Sequence, residues 1–430
     1  MEPIQVQAIR KILEDELRPA MGCTEPIAVA YTAALARELL GVFPQQLTVR
    51  CSGNIIKNVK GATVPNSGGE KGIDTAAILG AVSGRSDLEL EVLSVIGPSE
   101  LEQAMELRRQ GMCQYFLAEG VPNLYIEITA TAGPDTAVVA IQDSHTNLVK
   151  KEKNGQVLYK KEPDPQQDTS ALAQQYLDVH SILEYAETES LSYLKQLLQQ
   201  QCDCNWAIAQ EGLSQPYGAG VGRTLCQSGN ASDWRISCCA AAAAGSDARM
   251  NGCALPVVIN SGSGNQGITV SVPVIAYARS QNCSGEQLFR ALAVSNLLAI
   301  HQKKYIGKLS AYCGAISAAS AAGAAIAWLQ GCSEQEVAWC LTNTLAIAGG
   351  ILCDGAKASC AAKIAAGLQS AWLSLDLVHQ GYRFPAGEGL VDASPETTIQ
   401  NFGYVAREGM RDTDRVILHL MTGETDLSCP

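Results

Sequence analysis

Gly349-Gly350-Ile351-Leu352-Cys353-Asp354-Gly355-Ala356-Lys357-Ala358-Ser359-Cys360 is the stretch on which the reading of this chain turns. Two cysteines stand seven residues apart. On an unbroken α-helix that spacing separates their Cα atoms by roughly 10.5 Å along the axis. Two thiolates of one compact metal centre cannot sit so far apart, so the pair shares a centre only if the backbone turns between them. Gly355 permits such a turn, and the Ala/Lys-rich run after it restarts a helix. The segment reads as helix, tight break, helix, with a sulfur on either side of the break.

The same texture extends on both sides. Helical patterns cover residues 284–300, 314–329, 333–348 and 356–378, rich in alanine and broken by glycine-rich turns, with little strand signal. Cys313 stands just ahead of the second of these. Residues 160–168 are charged and hold two prolines, the composition of a linker. Residues 169–201 read as one or two helices. The expected architecture is therefore an α+β N-terminal domain over residues 1–165, followed by a mainly α-helical, Ala/Gly-rich C-terminal domain over residues 169–430.

In the first domain, Ile9, Ile12, Leu13 and Leu17 mark a helix over residues 4–17. A second helix covers residues 27–40, with Thr24 as candidate N-cap and Pro26 suited to a first turn. Cys23 precedes that helix, where the macrodipole lowers a thiol pKa; a cysteine buried in a turn would have the same sequence signature. Residues 47–51 read as a strand that runs into a polar loop carrying Asn54, Lys57 and Asn58, then Asn66-Ser67-Gly68-Gly69. Such a loop suits an anion such as a carboxylate, or serves as an ordinary connection. Then come a helix (73–82), a strand (88–95), a helix (99–109), strands at 123–131 and 136–142, the polar turn Asp143-Ser144-His145-Thr146-Asn147, and a hairpin about Asn154-Gly155.

Bulk properties exclude several classes. At 430 residues and 47% hydrophobic, the chain can bury two cores. A net charge of −12 without a basic cluster argues against nucleic acid and anionic membranes as partners. The most apolar run, residues 315–329, is shorter than a membrane span needs, and the charged amphipathic start is no secretion signal. A cytoplasmic location is expected, with most of the sixteen cysteines reduced and buried. A glycine-rich turn at residues 215–223 fails the nucleotide-loop pattern, because no strand clearly precedes it and no Gly-Lys-Ser/Thr follows.

The most distinctive polar loop is residues 260–267, Asn260-Ser261-Gly262-Ser263-Gly264-Asn265-Gln266-Gly267. Small residues let backbone amides approach a ligand, and Ser261, Ser263, Asn265 and Gln266 add side-chain donors suited to a carboxylate. Cys313, Cys353 and Cys360 all stand at breaks between helices of one domain. Thiolates are the usual holders of iron–sulfur clusters. Three of them would leave one iron open to polarise a substrate. Spacing alone does not select this trio.

Five stretches carry a resemblance: MGCTEP (21–26), GNIIKNVKGATVPNSGG (53–69), NSGSGNQG (260–267), AYCGA (311–315) and ILCDGAKASC (351–360). In that order they resemble the L-cysteine desulfidase branch of the iron–sulfur L-serine dehydratase family, over most of the chain. The resemblance implies a [4Fe-4S] cluster and no pyridoxal phosphate, with Cys313, Cys353 and Cys360 as ligands. It implies that Cys23 is the active-site thiol and a candidate for moving the α-proton. Asn54, Lys57, Asn58 and the 260–267 loop would hold the substrate. His145 lies in a Ser-His-Thr run similar to a substrate loop of the serine dehydratases.

The implied reaction is β-elimination of L-cysteine, or of L-serine or a related β-substituted amino acid. A small amino acid is the expected substrate, and a homodimer the expected assembly. Cys429, near the chain end, is a candidate resting fourth ligand, against the plainer reading of a tail residue. Two other classes remain open at this level: a non-enzymatic iron–sulfur redox or sensor protein, and a metal-free metabolite-binding protein whose cysteines are merely buried.

Overall fold

The computed structural model describes residues 1–161, 175–229, 233–307 and 309–423. The sheet-bearing half comes first. α1 (Pro3–Glu16) buries its one apolar stripe, Ile9, Ile12 and Leu13, and leads into the three-residue strand β1 (Pro19–Met21). α2 (Thr24–Leu40) is buried along most of its length and stops where Gly41 takes φ +86°, a left-handed cap that glycine adopts without strain. There follow β2 (Gln46–Cys51), α3 (Gly53–Gly61), α4 (Ile73–Ser83), a 3-10 turn (Ser86–Glu91), α5 (Pro98–Arg109), β3 (Cys113–Leu117), β4 (Tyr125–Ala132), β5 (Asp135–Gln142), β6 (Leu148–Lys153) and β7 (Gln156–Lys160).

The strands form one sheet in the order β3-β2-β4-β5-β6-β7, parallel between β2 and β3 and antiparallel elsewhere. On β4, Ile126, Ile128 and Ala130 alternate inward, and α2 lies across β4 and β5 to cover them.

The second half is mainly helical, as expected. It comprises α6 (Val179–Thr188), α7 (Leu191–Ser214), α8 (Val221–Ser228), α9 (Trp234–Met250), the short strand β8 (Pro256–Val258), α10 (Gly264–Ser280), α11 (Gly285–Ile306), α12 (Gly314–Leu329), α13 (Glu334–Ala348), α14 (Cys360–His379), α15 (Pro395–Tyr404), a π-helical turn (Val405–Gly409) and α16 (Arg411–Thr422). α12 is the central helix. It is buried without interruption from Ala315 to Ala327, and α10, α11, α13 and α14 surround it. Its alanines and glycine let those neighbours approach closely.

Two long-range contacts position the site. β1 pairs antiparallel with β8, Pro19 opposite Val258 and Met21 opposite Pro256, and just beyond β1 the Thr24 hydroxyl, 3.0 Å from the Gly262 carbonyl oxygen, ties the start of α2 to the loop that follows β8. α16 rests on α3, with Leu418 filling the space above Gly53 that a Cβ would need.

Several local expectations change. Residues 53–61 form α3, a helix rather than a loop. Gly53, Asn54 and Asn58 lower helix propensity, but burying Ile55, Ile56 and Val59 on one face outweighs it. Residues 88–95 are not a strand: they form the 3-10 turn and the turns after it, with Val92 N donating to Glu89 O and Ser94 N to Glu91 O, which buries Leu90, Val92 and Leu93 together. The capping position of α2 is Cys23, not Thr24. The helix after Gly355 starts at Cys360, four residues later than expected, because residues 356–359 are held in turns. β1, β3 and β8 had no recognised signal; two of them are only three residues long. Most of the 160–168 linker, and Cys429, lie outside the described residues.

Candidate functional site

The break that opened the sequence reading is real. Gly355 has φ +99°, and a Cβ there would meet the Lys57 carbonyl oxygen at 2.5 Å. Glycine is required twice over, for the backbone angle and for the close approach to α3. Asp354 holds the loop shut by pairing with both Lys357 and Lys363, and Lys363 Nζ also donates to the Leu352 carbonyl at 2.8 Å. Burial alone would raise the Asp354 carboxyl, but the two lysines hold it down at about 2.

A small antiparallel bridge, Tyr312 opposite Leu352, then sets two cysteines side by side. Cys353 N donates to Ala311 O at 2.6 Å and Cys313 N to Ile351 O at 3.1 Å. Cys313 caps α12, Cys360 opens α14, and all three thiols line one cavity of about 90 Å³.

The thiols feel one another. Burial pushes Cys313 up to about 12, with Cys353 and then Cys360 adding repulsion between thiolates. Cys360 is also raised, chiefly by burial and then by Cys353. Lys363 stands within electrostatic reach of Cys313 and Cys353. Burial works against its charge, yet Asp354 and the thiols together raise its pKa. An ammonium there favours thiolates and a negatively charged group among them.

Among the described residues no three His, Cys, Asp or Glu side chains close on a single metal ion. A polynuclear cluster is wider than an ion and spreads its ligands. An all-sulfur donor set lining one cavity, with a cation behind it, is the chemistry that iron–sulfur groups take. The residues fit such a group.

The facing wall carries Cys23 and a residue that sequence reading did not single out, Glu25. Cys23 Sγ donates to Glu25 Oε2 at 3.1 Å, and Thr24 Oγ1 donates to the same oxygen at 3.0 Å. Asn58 Nδ2 donates to Glu25 Oε1 at 3.1 Å, and His145 Nε2 lies 4.0 Å from that oxygen. The expected low thiol pKa is overturned. A helix N-terminus contributes only about 0.3–1 kcal/mol, while complete burial and then the Glu25 charge push the Cys23 thiol well up. Burial would also raise Glu25, but His145, Cys23 and Arg249 outweigh it and lower that carboxyl. The pair is thus a thiol beside an ionised carboxylate. Glu25 was legible only as an acid in a first helical turn, two residues after Cys23.

Asn54, Lys57 and Asn58 do reach the cavity, from the helix α3. Their donors already have partners. Lys57, 1% exposed, pairs with Asp414 of α16, and Asn54 Nδ2 donates to the other Asp414 oxygen at 2.7 Å. Asp414 has no sequence signal, because the contact spans 357 residues.

In the 260–267 loop, Ser263, Asn265 and Gln266 line the cavity; Ser261 does not, and donates back to Asn260 at 3.0 Å. Ser263 also caps α10 through Gln266 N. His145 is buried behind the loop, against Gly262, rather than on the cavity wall. Arg249, at the C-terminal end of α9, is 2% exposed and lines the cavity. At the end of an alanine-rich helix it looked like an ordinary basic terminus.

A larger cavity of about 460 Å³ lies elsewhere, between Trp339, Phe384, Val391 and Glu396. It holds no thiol among its lining residues, so size and chemistry point to different places. The chemistry decides here: among the described residues, the Cys23 thiol, an ionised carboxylate and the grouped sulfurs meet in the smaller one.

Residues 87–419 match the model of the serine dehydratase alpha chain family. The chain belongs to that family. This family is the iron–sulfur, pyridoxal-phosphate-independent type of serine dehydratase. The match includes Arg249, the 260–267 loop and the three clustered cysteines, and begins after Cys23, Glu25 and α3.

Relatives extend over the remainder. A UPF0597 protein of Lachnoclostridium phytofermentans is 44% identical over 410 residues, covering 95% of this chain and 98% of the relative. One from Treponema denticola is 42% identical, covering 96% of each chain, and one from Finegoldia magna is 44% identical, covering 96% and 98%. Family membership supports a lyase. No helix among the described residues is long and apolar enough to cross a membrane.

Proposed function

We propose that this chain catalyses iron–sulfur-dependent β-elimination of L-cysteine to pyruvate, ammonia and hydrogen sulfide, without pyridoxal phosphate. The observation that carries the reading is the single small cavity with three thiols on one wall and the Cys23–Glu25 pair on the other. Cys313, Cys353 and Cys360 would hold a [4Fe-4S] cluster. Bound there, it would supply Lewis acidity for a poor leaving group at the iron without a cysteine ligand.

The protein side of the reaction is proton transfer. Because the Cys23 thiol is raised and Glu25 lowered, no free thiolate stands ready: the α-proton moves to Cys23 Sγ as the thiol proton moves to Glu25, a relay that ends with the proton on the carboxylate. The electron pair left on Cα forms the Cα–Cβ double bond as sulfide departs from Cβ. Sulfide takes up a proton, and the aminoacrylate released hydrolyses to pyruvate and ammonia. Asn58 and Thr24 keep Glu25 aimed at Cys23 through their hydrogen bonds to its carboxylate.

L-Serine by the same mechanism is the second reading, and the family description favours it; the resemblance of the five sequence stretches to the desulfidase branch favours cysteine. An anaerobic assay of pyruvate and sulfide from L-cysteine, beside pyruvate from L-serine, separates the two. Pyruvate from serine alone overturns the cysteine assignment, and pyruvate from neither overturns the lyase. Cys23→Ala is expected to keep the brown absorbance of the cluster and lose turnover; full activity in that variant removes Cys23 from the chemistry.

A further inference from the structure

Arg249 is a charge in the cavity wall without a direct ion-pair partner among the described residues. Its Nε is buried and lacks a hydrogen-bond partner, and the guanidinium forms no ion pair with a described residue. Arginine does not shed its proton to escape burial, so a buried guanidinium donor with nothing to bond calls for an acceptor. Glu25 is the nearest carboxylate by electrostatic influence. Both of its oxygens, however, are taken by Cys23, Thr24 and Asn58. The chain nevertheless makes room for Arg249: a Cβ on Gly264 would collide with its Nε and Cζ. The position is built, charged and unmatched.

The same cavity holds the complementary deficit. Asn54 Oδ1, Asn265 Oδ1 and Gln266 Oε1 are buried acceptors with no donor. All three residues line the cavity, and Gln266 lies against Gly314, next to Cys313. The other cations of the wall, Lys57 and Lys303, are already engaged, Lys57 by Asp414. One unmatched guanidinium and three unmatched carbonyl-type oxygens call for a ligand that is anionic at one end and a multiple hydrogen donor at the other. An α-amino acid zwitterion has that form: a carboxylate takes two guanidinium hydrogens, and an ammonium offers three.

We infer that Arg249 anchors the substrate α-carboxylate, and that Asn54, Asn265 and Gln266 receive its ammonium. The cavity is thereby selective for free α-amino acids over the corresponding amines, and for uncapped over N-acylated ones. This rests on the lyase reading for the identity of the ligand as substrate. It moves the carboxylate contact from Lys57 and the two α3 asparagines to an arginine at the end of α9.

The test separates binding from turnover. L-Alanine carries both charged ends but no leaving group, and ethylamine lacks the carboxylate. Anaerobic calorimetry on the intact, iron-loaded protein should show alanine binding about 10- to 100-fold tighter than ethylamine, the range of one charge-assisted contact. In Arg249→Ala that ratio falls towards one, and added guanidinium chloride restores part of it. Gln266→Leu should weaken alanine and ethylamine alike and leave the ratio unchanged. Wild-type alanine affinity in a folded Arg249→Ala overturns the anchor. If that variant does not fold, Arg249→Lys decides: a ratio as large as in the wild type overturns the anchor, and a reduced ratio supports it. Failure of the lyase reading looks different. In that case the wild type binds alanine through Arg249 yet releases pyruvate from neither cysteine nor serine.

Discussion

Replacing Gly355 with alanine should loosen the cysteine loop more than any other single methyl group added there. At φ +99° an L-residue is strained by about 1–2 kcal/mol, taking the left-handed penalty as the scale. The new Cβ would also meet Lys57 O at 2.5 Å and its carbonyl carbon at 3.2 Å. Those are backbone atoms of a buried helix and cannot swing aside. Forced overpacking of this kind costs about 1–3 kcal/mol. Together the two effects amount to roughly 2–5 kcal/mol, a large part of the 5–15 kcal/mol that typically holds a domain folded.

Because Cys353 and Cys360 flank Gly355, the strain should appear first as loss of iron. The assay is anaerobic iron content per chain, with the urea midpoint measured on the same preparation. Gly350→Ala is the internal control, since no atom lies within 4 Å of its would-be Cβ and its φ is ordinary. A Gly355→Ala protein with wild-type midpoint and iron content, or equal damage from Gly350→Ala, would refute the reasoning.

Cys313→Ser, Cys353→Ser and Cys360→Ser should each cut bound iron sharply under anaerobic purification, whereas Cys340→Ser, a buried cysteine away from the cavity, should not. Asp414→Leu should destabilise by about 3–5 kcal/mol by leaving the buried Lys57 ammonium unpaired, and Lys57→Met in the same chain should recover most of that loss in a urea double-mutant cycle. Burial raises the Asp247 carboxyl from 3.8 to about 6, so the fold prefers it protonated. Its contribution is present below about pH 4 and lost as pH rises through 6, by at most about 3 kcal/mol. Asp247→Asn should flatten that slope in urea melts between pH 4 and pH 7.

The legible part of the site was the part with local signatures. The glycine break between two sulfurs, the cysteine ahead of α12 and the small-residue loop at 260–267 could be read because each depends on its immediate neighbours. Periodicity located the long helices for the same reason. It misplaced α3, where tertiary burial overrides poor local propensity, and it missed β1 and β8, which are too short to carry a pattern. That last omission mattered most, because β1 and β8 tie together the segments that lead to Cys23 and to the polar loop, which the Thr24–Gly262 contact then joins.

By itself, then, the sequence determined an α+β half, a helical half packed through small side chains, and which thiols stand where the backbone turns. Only the tertiary structure decided their company. Glu25, Arg249 and Asp414 enter the site through contacts between distant segments, and the helix patterns that contain them say nothing of those contacts. It also reversed a charge state. Cys23 stands where a helix dipole favours a thiolate, yet it is a protonated thiol, because desolvation and an adjacent carboxylate act more strongly than the dipole. Electrostatic balance inside a fold depends on burial and on neighbours in space, and neither is written in the order of residues.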